Sequence, residues 1–169
     1  SSFLNVSRLE SGKLHIDRHP FDMALLLTEV EEEAKAIFSR HRLVFKPVDS
    51  CWVEADRDKI FQVIQNLISN AVKYSAQDST VTISCVRCEK EAHLSVSDEG
   101  PGIKSEDVPR IFERFYRIEN NNTKSISGFG IGLYLCSEII KGHDGIIGVN
   151  NLPGKGSDFY FTLPLMTAK

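Results

Sequence analysis

The sequence predicts an α+β fold in which a mixed sheet carries its helices on one face, and three observations support this prediction. TVTISCVRC at 80–88 and AHLSVSDE at 92–99 alternate apolar and polar residues, as half-buried strands do. DRDKIFQVIQNLISNAVKYS at 56–75 instead repeats apolar residues at the spacing of a helix. Segments of both kinds are interspersed along 169 residues, a length that suits one compact domain.

The first twenty residues are expected to stand apart from that domain. SSFLNVSRLESGKL (1–14) is typical of the last turns of a helix, which ends at Gly12. HIDRHP (15–20) follows as an extended linker, because Pro20 disfavours a helical conformation at the residue before it. We therefore expect a helix end and a linker at 1–20 and a compact domain at 21–169.

Two helices and two short strands are predicted next. Apolar residues at 26, 30, 34, 37 and 38 indicate a helix over 21–42 with an acidic outer face. LVFKPV and SCWVEAD are short strand candidates. Asp56 has a side chain suited to the N-cap of the helix at 56–75. The buried stripe expected for that helix consists of Ile60, Val63, Ile64, Leu67, Ile68 and Ala71.

The second half of the chain combines strands with glycine-rich and polar stretches. The strands at 80–88 and 92–99 are expected to pair around a turn at 89–91, and DEGPGI ends the second of them. The remaining predictions are a short helix at SEDVPRIFERFY (105–116), a mobile loop at ENNNTKSIS (119–127), a helix from Leu133 in GFGIGLYLCSEIIKGH, and strands at DGIIGVNN and SDFYFTLPL.

Charge and cysteine content argue against several classes of function. Lys plus Arg minus Asp plus Glu is 20 − 23 = −3, so no field of one sign predicts binding to nucleic acid or anionic lipid. No apolar run approaches the ~18 residues of a membrane-spanning helix. Cys85 and Cys88 form a lone C-x-x-C on a predicted strand, where they would point to opposite faces. Strand packing is therefore favoured over a metal or redox site, and the cysteine spacing fits a reducing compartment.

Two asparagines in NLISNAVKYS stand out, because Asn in a helix interior usually reduces stability. Asn66 and Asn70 lie four residues apart on one face, and Lys73 follows one turn later. Amide oxygens are hard donors suited to Mg²⁺, and a lysine can contact a phosphate as a point charge. The alternative is that both amides form hydrogen bonds with neighbouring strands.

Two glycine motifs add further candidates. DEGPGI places Asp98 at a strand end, where its carboxylate could accept a hydrogen bond from an exocyclic amine such as that of adenine, or could simply cap a tight turn. GFGIGL opens a helix, so its glycines and the helix N-terminus could cradle phosphate, or could serve as a flexible hinge. Its spacing is G-x-G-x-G and no Walker A lysine is present, which disfavours the dinucleotide-binding and P-loop folds.

These stretches occur in the order that characterises the catalytic domain of sensor histidine kinases. NLISNAVKYS resembles the N box of that family, DEGPGI the G1 box, IFERFYR the F box, GFGIGL the G2 box and GKGSDF the final glycine motif. The resemblance runs from about residue 52 to 164. Gyrase, the heat-shock chaperone ATPases and the MutL proteins belong to the wider superfamily. The resemblance implies a two-layer α/β sandwich of the Bergerat type, with a flexible lid that closes over ATP.

The resemblance also implies a role for each matching position. Asn70 would coordinate the Mg²⁺ that bridges the phosphates, with Asn66 beside it, and Lys73 and Arg117 would contact the phosphates. Asp98 would accept the adenine amine. The other implied cofactor contacts are Tyr74, Gly100, Gly102 and Ile103 near the base, and Gly128, Phe129, Gly130, Ile131, Gly132 and Leu133 in the G2 box.

Three further sets of residues in these motifs receive weaker assignments. Arg114 is a second candidate for the γ-phosphate region. Phe112 and Phe115 are similar to lid anchors, although core packing would equally explain them. The last glycine motif, at 154–156, is given only a turn role.

Residue 66 distinguishes a kinase from a hydrolase within this superfamily. The hydrolytic relatives place a glutamate there as a general base, whereas Asn66 cannot accept a proton, so the γ-phosphoryl group would be kept for a protein nucleophile. SRLESGKL resembles the end of a dimerisation helix, and PFD resembles the linker after it. The five histidines are His15, His19, His41, His93 and His143. None stands in the phosphoacceptor context, so ATP binding is expected but autophosphorylation is not.

The function implied is that of the ATP-binding catalytic domain of a two-component sensor histidine kinase. Its partners would be ATP with Mg²⁺, the parent protein's own dimerisation and phosphoacceptor domain, and a response regulator, but not nucleic acid. The parent would be a homodimer and the domain cytoplasmic, with an anchor in the inner or plasma membrane left open. The alternatives are an anti-sigma-factor-type serine kinase and a nucleotide-binding scaffold without catalysis; a hydrolytic ATPase is disfavoured by Asn66.

Overall fold

The computed structural model of the chain describes residues 14–76, 78–114, 116, 132–152 and 155–167. Three α-helices and seven strands occur in these ranges. In chain order they are β1 (His19–Asp22), α1 (Met23–Ile37), β2 (Arg42–Phe45), β3 (Trp52–Ala55), α2 (Arg57–Tyr74), β4 (Thr80–Cys88), β5 (Glu91–Asp98), α3 (Gly132–Gly142), β6 (Ile147–Leu152) and β7 (Gly156–Pro164).

The main sheet has five strands in the order β2-β4-β5-β7-β6. β2 runs parallel to β4, and the other neighbours are antiparallel, so the sheet is mixed as predicted. The predicted hairpin of β4 and β5 places Cys85 opposite Leu94. β1 and β3 form a separate two-stranded antiparallel sheet. The sequence predicts an extended conformation for residues 15–20 but does not predict that β1 pairs with β3.

One face of the main sheet packs against the helices and forms the core. Side chains alternate between buried and half-buried along β5 and along the first part of β4, as the period of two requires. The apolar faces of the three helices cover the buried positions. This arrangement confirms the predicted α+β sandwich with its helices on one side of a mixed sheet.

Helix α2 follows its sequence pattern closely. Asp56 is the N-cap, and its Oδ1 accepts a hydrogen bond from the Lys59 N–H at 3.3 Å. The six residues predicted for its buried stripe are all buried: Ile60, Val63, Ile64, Leu67, Ile68 and Ala71. The half-buried asparagines lie beside this stripe, so the packing of the core also fixes their orientation.

Helix α1 is shorter than predicted and buries a different set of residues. It ends at Ile37, whose side chain is 60% exposed although the residue belongs to the predicted apolar period. Met23 and Leu27 are buried instead, together with the predicted residues at 26, 30 and 34. The helix begins one residue after Asp22, which accepts a hydrogen bond from the Ala24 N–H at 3.0 Å. This cap fixes the start of the helix at Met23, and the buried face is the predicted one, because Met23 and Leu27 lie on the same face as residues 26, 30 and 34.

The predicted helix at 105–116 is absent from the described part of that segment, which has only a 3₁₀ turn at Val108–Arg110 and further turns. Pro109 has no N–H to donate and disfavours a helical residue before it. Phe112 packs edge-to-face on Phe159 with ring centroids 6.2 Å apart, in agreement with core packing. Phe115 and Gly154 lie outside the described residues.

The N-terminus of α2 and the C-terminus of α3 meet at the segment before β1. The Asp17 N–H donates to Asp56 Oδ2 at 3.0 Å, and the Arg18 guanidinium donates to the Gly142 carbonyl at 2.7 Å. The Asp56 N–H donates to His143 Nε2 at 2.9 Å. We refer to this set of contacts as the linker clamp. It ties residues 17 and 18 to the start of α2 and to the end of α3.

The structure also shows the surroundings of the cysteines. Cys85 is buried and Cys88 exposed, which is consistent with side chains on opposite faces of β4. Burial raises the pKa of the Cys85 thiol to about 12.

Within the described ranges, no group of three His, Cys, Asp or Glu residues is placed to hold a metal ion. None of the helices in those ranges has both the length and the apolar character needed to cross a bilayer.

Candidate functional site

The C-terminal half of α2 presents the predicted polar residues on one surface. Asn66 and Asn70 are half-buried, and Lys73 is exposed one turn further on. No other described residue makes a hydrogen bond with either amide. The alternative, in which these amides form hydrogen bonds with neighbouring strands, therefore does not hold for the part of the chain that is described. Half-buried amide oxygens that have no hydrogen-bond partner among the described residues can bind a ligand.

Gly132, the first residue of α3, lies directly against Asn66. A Cβ placed on Gly132 would be 2.7 Å from Asn66 Oδ1, closer than real Cβ contacts. The start of α3 therefore approaches the asparagine face only because residue 132 is glycine. Leu133, the next residue of the predicted set, is half-buried and packs against the core. This contact brings the end of the G2 box and the beginning of the N box into one site.

The carboxylate of Asp98 is held at the end of β5 by two donors. The Gly100 N–H donates to Oδ1 at 2.8 Å, which forms the tight turn that the sequence allowed as an alternative. The Ser157 hydroxyl donates to Oδ2 at 2.7 Å from the neighbouring strand β7. Asp98 is 9% exposed and has no cationic partner at hydrogen-bonding distance among the described residues. A carboxylate has about four acceptor sites, so two donors leave it able to accept from a ligand.

The DEGPGI turn packs beneath the end of α2. A Cβ on Gly100 would lie 2.8 Å from the carbonyl oxygen of Tyr74 and 3.0 Å from Asp98 Oδ1. Gly102 has a φ of 79°, a conformation that favours glycine. The turn therefore brings Asp98 close to Tyr74, which is half-buried at the last position of the helix. The G1 box and the N box thus adjoin at this end of the site.

Gly156 and Ser157 contribute more to the site than the turn that the sequence predicts for the last glycine motif. Gly156 has a φ of +114°, and a Cβ there would be only 2.0 Å from the Asp98 carbonyl oxygen. The next residue, Ser157, orients the Asp98 carboxylate. The last glycine motif therefore does more than form a turn, because it lets β7 approach the end of β5. The pattern GKGS, a glycine pair followed by a hydroxyl residue, was the available clue.

Asn151 is a second residue that the sequence did not single out. Its Oδ1 accepts a hydrogen bond from the Ile103 N–H at 2.7 Å, and its Nδ2 donates to the Ile103 carbonyl. Ile103 is buried next to this pair. The side chain of one residue on β6 thus satisfies both backbone groups of a residue in the G1 box. No local sequence motif predicts this pair of hydrogen bonds, because the two residues are 48 positions apart.

Tyr116 of the F box belongs to a short polar cluster with two residues that precede the box. The Tyr116 hydroxyl donates to the buried carboxylate of Asp107, and this hydrogen bond raises the pKa of Tyr116. The guanidinium of Arg110 lies 4.6 Å from the centre of the Tyr116 ring. Arg114 is exposed and makes an interaction of its own. Arg117, like Gly128, Phe129, Gly130 and Ile131 of the G2 box, lies outside the described residues.

Two of the histidines, His143 and His93, make contacts that stabilise the fold. His143 is 2% exposed; its Nε2 accepts from the Asp56 N–H, so its proton is on Nδ1, which donates to the Ile139 carbonyl at 2.7 Å. Burial lowers the pKa of His143, which keeps this ring neutral. His93 stacks on Tyr160 with centroids 5.1 Å apart. These contacts give both residues a role in packing.

The site therefore brings together four of the five sequence motifs. Its elements are two amides and an ammonium along α2, a buried carboxylate at the end of β5, and a helix N-terminus that approaches the first amide. Amides and an ammonium suit phosphate oxygens and a hard cation, and a held carboxylate suits an amine donor. The distribution of these groups fits a ligand with a polyanionic end and an amine-bearing base.

The comparisons with known proteins agree with this geometry. The family model described as histidine kinase-, DNA gyrase B-, and HSP90-like ATPase matches residues 55–167. The chain is 34% identical over 168 residues to the sensor histidine kinase WalK of Bacillus subtilis (strain 168), which covers 97% of this chain and 28% of WalK. It is 37% identical over 169 residues to the adaptive-response sensory kinase SasA of Thermosynechococcus vestitus (strain NIES-2133 / IAM M-273 / BP-1), which covers 98% of this chain and 44% of SasA.

Solved structures give the same result. The chain aligns with full-length ShkA in complex with AMPPNP at a TM-score of 0.83 and 27% identity, over 99% of this chain and 35% of ShkA. The chain thus spans less than half the length of WalK, SasA and ShkA. The family match covers residues 55–167, a range that contains every described residue of the site. By sequence and by fold, this chain belongs to the family of histidine kinase-, DNA gyrase B- and HSP90-like ATPases.

Proposed function

We propose that this chain binds Mg²⁺-ATP as the catalytic domain of a sensor histidine kinase and positions the γ-phosphoryl group for transfer to a histidine on the parent's dimerisation domain. The observation that carries the proposal is the contact of Asn66 with Gly132, because it places an amide beside the helix N-terminus where a hydrolytic relative would need a carboxylate base. The similarity to WalK and SasA, both named as kinases, supports the same assignment.

The base end of the ligand would be read by Asp98. Its carboxylate is fixed by Ser157 and by the Gly100 N–H, so it cannot turn away from a donor on the ligand. Gly100 and Gly102 keep the adjacent backbone close and free of side chains. An exocyclic amine would donate to the remaining acceptor sites of the carboxylate. Tyr74 and Ile103 would provide apolar surface for the ring.

The phosphate end would lie along α2 and the start of α3. Asn70 would hold Mg²⁺ through its amide oxygen, with Asn66 next to it, and the ion would neutralise phosphate charge. Lys73 would place a positive charge near the same oxygens, and Arg117 would reach the γ-phosphate. The backbone N–H groups of the G2 glycines would add donors at the N-terminus of α3. Phosphoryl transfer depends mainly on such positioning and charge neutralisation.

The choice between transfer and hydrolysis would depend on Asn66. An amide cannot accept a proton from water, so it provides no general base for water attack. A histidine nitrogen of the dimerisation domain would instead attack the γ-phosphorus, and the bond to the bridging oxygen would break to release ADP. None of the five histidines of this chain lies in a phosphoacceptor context, which agrees with an acceptor on another domain.

The whole-protein context is part of the same proposal. Residues 1–20 would connect the domain to the dimerisation helices of a homodimeric parent, and a response regulator would receive the phosphoryl group. The domain would act in the cytoplasm, whether or not the parent is anchored in the inner or plasma membrane. Nucleic acid is not a proposed partner, since the net charge is −3.

Calorimetric titration with AMPPNP, with and without Mg²⁺, tests the binding step. Asn70→Ala should remove the Mg²⁺-dependent part of the affinity. Gln65→Ala is a matched control, because Gln65 is an amide on the same helix that binds Glu33 at 2.8 Å, away from the site. Equal affinities for Asn70→Ala and the unsubstituted chain would remove Asn70 from the metal site.

Incubation with ATP and the parent's own dimerisation hairpin tests the transfer step. The proposal predicts an acid-labile phosphohistidine on the hairpin. An acid-stable phosphoserine on another protein would favour the serine kinase, and release of inorganic phosphate alone would favour a hydrolase. Binding of AMPPNP without any transfer would favour the scaffold.

A further inference from the structure

A groove lies between helix α1 and the small sheet of β1 and β3, on a surface that the proposed function does not use. Its volume is about 460 Å³, within the range of binding pockets. One face of α1 forms one wall, and the edge of the small sheet forms the other. The residues used below are Asp22, Leu25, Glu29, Glu32, Trp52 and Arg57.

The groove is separate from the candidate nucleotide site. Arg57, the first residue of α2, lines the groove, whereas Asn70 is 70 − 57 = 13 residues further along the same helix. At 1.5 Å per residue, this places the two about 20 Å apart. A molecule in the groove would therefore contact neither the phosphates nor the adenine of a nucleotide.

Two large apolar side chains are exposed at the groove. Leu25 of α1 is 65% exposed and Trp52 of β3 is 49% exposed. Exposed apolar groups clustered around a concave surface mark interaction sites more often than scattered ones do. Tryptophan contributes most when a partner covers it, because it combines a large apolar area with few rotatable bonds.

The rim of the groove is acidic. Three carboxylates and one guanidinium line it, which gives a formal charge of −3 + 1 = −2. Glu29 is neutralised by Arg57 at 2.8 Å, and Asp22 accepts hydrogen bonds from the Cys51 and Ala24 N–H groups. Within the described residues, Glu32 has neither an ion pair nor a hydrogen bond. Its carboxylate is therefore available to a cation from outside the chain.

We propose that this groove docks a basic amphipathic segment of another protein, with an apolar side chain between Leu25 and Trp52 and a lysine or arginine beside Glu32. The exposed face of Trp52 would also attract the cation, since indole rings bind ammonium and guanidinium groups. The exposed apolar residues would bind the apolar side of such a segment, and the unpaired carboxylate of Glu32 would bind its basic side. An acidic segment or an anionic membrane would be repelled by the rim.

Trp52 makes the proposal directly measurable, because it is the single tryptophan of the chain. The probe is a 14-residue amphipathic helical peptide of leucine and lysine, and its charge-reversed twin of leucine and glutamate is the control. Titration with the leucine–lysine peptide should shift Trp52 emission to the blue and saturate. Glu32→Lys should weaken this binding by about tenfold, from the loss of one ion pair and added repulsion.

Leu25→Lys should weaken the binding at least as much, whereas Ile37→Lys should leave it unchanged. The two positions are matched, since Ile37 is an equally large aliphatic residue that is 60% exposed on the same helix but outside the groove. Both substitutions fall on exposed positions, so folding is preserved in each, and AMPPNP affinity serves as the check. The titrations use the whole 169-residue chain.

Four outcomes would overturn the proposal. These are no saturable shift with the leucine–lysine peptide, equal binding of the leucine–glutamate twin, equal losses for Leu25→Lys and Ile37→Lys, and an equal blue shift with anionic phospholipid vesicles. A blue shift that depends on protein concentration without peptide would instead assign the groove to a second copy of the chain.

Discussion

Replacing Ser157 with alanine is expected to weaken binding of adenine nucleotides, because it removes one of the two donors that hold Asp98. The lost hydrogen bond is 2.7 Å long, and both residues are buried. A hydrogen bond to a charged group contributes about 1.5–3 kcal/mol. We therefore expect the free energy of unfolding to fall by about 2 kcal/mol and the Tm by about 4–8 °C.

The affinity for nucleotide should fall by about fivefold, since a carboxylate held by one donor instead of two spends less time in the orientation that accepts an amine; a fivefold loss corresponds to about 1 kcal/mol. Calorimetric titration with ADP measures this loss. Inorganic tripolyphosphate, which has no base, should compete for the site equally well in both proteins. A similar loss for tripolyphosphate would mean that Ser157→Ala disturbs the whole site and not the base end.

The adjacent strand pair provides a matched control. Ser97 on β5 donates to Asp158 Oδ1 on β7 at 2.9 Å, one position along from the Asp98–Ser157 pair and with the serine and aspartate exchanged between the strands. Ser97→Ala removes the same kind of bond at a half-buried position outside the site. It should leave ADP affinity unchanged. Equal effects of the two alanine variants on ADP binding would refute base recognition by Asp98.

Three other perturbations follow from the geometry. Gly132→Ala should displace the Asn66 amide, which a Cβ would meet at 2.7 Å, and should weaken Mg²⁺-AMPPNP binding by about tenfold in calorimetry with little change in Tm. Gly156→Ala should cost more than about 3 kcal/mol in denaturant unfolding, because φ is +114° and a Cβ would lie 2.0 Å from a backbone carbonyl. Burial lowers the pKa of His143 below the 6.5 of an unfolded histidine, so the stability it confers is complete above that pH and is lost as the pH falls through the unfolded value. The free energy of unfolding measured in urea should therefore decrease between pH 7.5 and pH 5, and His143→Gln should reduce this decrease.

Each of these predictions has a distinct contrary result. A Gly132→Ala protein with lowered Tm and unchanged nucleotide affinity would show that the glycine serves packing alone. Wild-type stability for Gly156→Ala would contradict the positive φ and the close approach of β7. A pH slope unchanged by His143→Gln would assign the acid sensitivity to other groups.

Local sequence patterns were sufficient to predict helix α2 and strands β4 and β5. The stripe of α2 and its Asp56 cap are set by residues within 18 positions of one another, and the structure reproduces both. Alternation likewise located β4 and β5, since each strand has one buried face. Asn66 and Asn70 could be placed on one face of α2 for the same reason, since residues four apart are neighbours on a helix surface.

The features of the site that could not be predicted from the sequence depend on contacts between residues far apart in the chain. Ser157 contacts Asp98 across 59 positions, and Asn151 contacts Ile103 across 48. No periodicity within either segment predicts such bonds, which exist only because β5, β7 and β6 are neighbours in the sheet. The start of α1 also depends on a long-range contact, because the capping carboxylate of Asp22 accepts hydrogen bonds from the Ser50 hydroxyl and the Cys51 N–H in a distant loop.

The linker clamp determines how far the chain can be shortened from its N-terminus. Leu14 packs partly buried against the core, and the Cδ1 of Ile16 lies 2.4 Å from where a Gly142 Cβ would be. A protein that begins at Phe21 would lose these contacts along with the bonds of residues 17 and 18 to both helices. Residues just before the compact domain thus belong to its folding unit. Fragments prepared for crystallisation or for ligand screening should therefore retain at least residues 14–20.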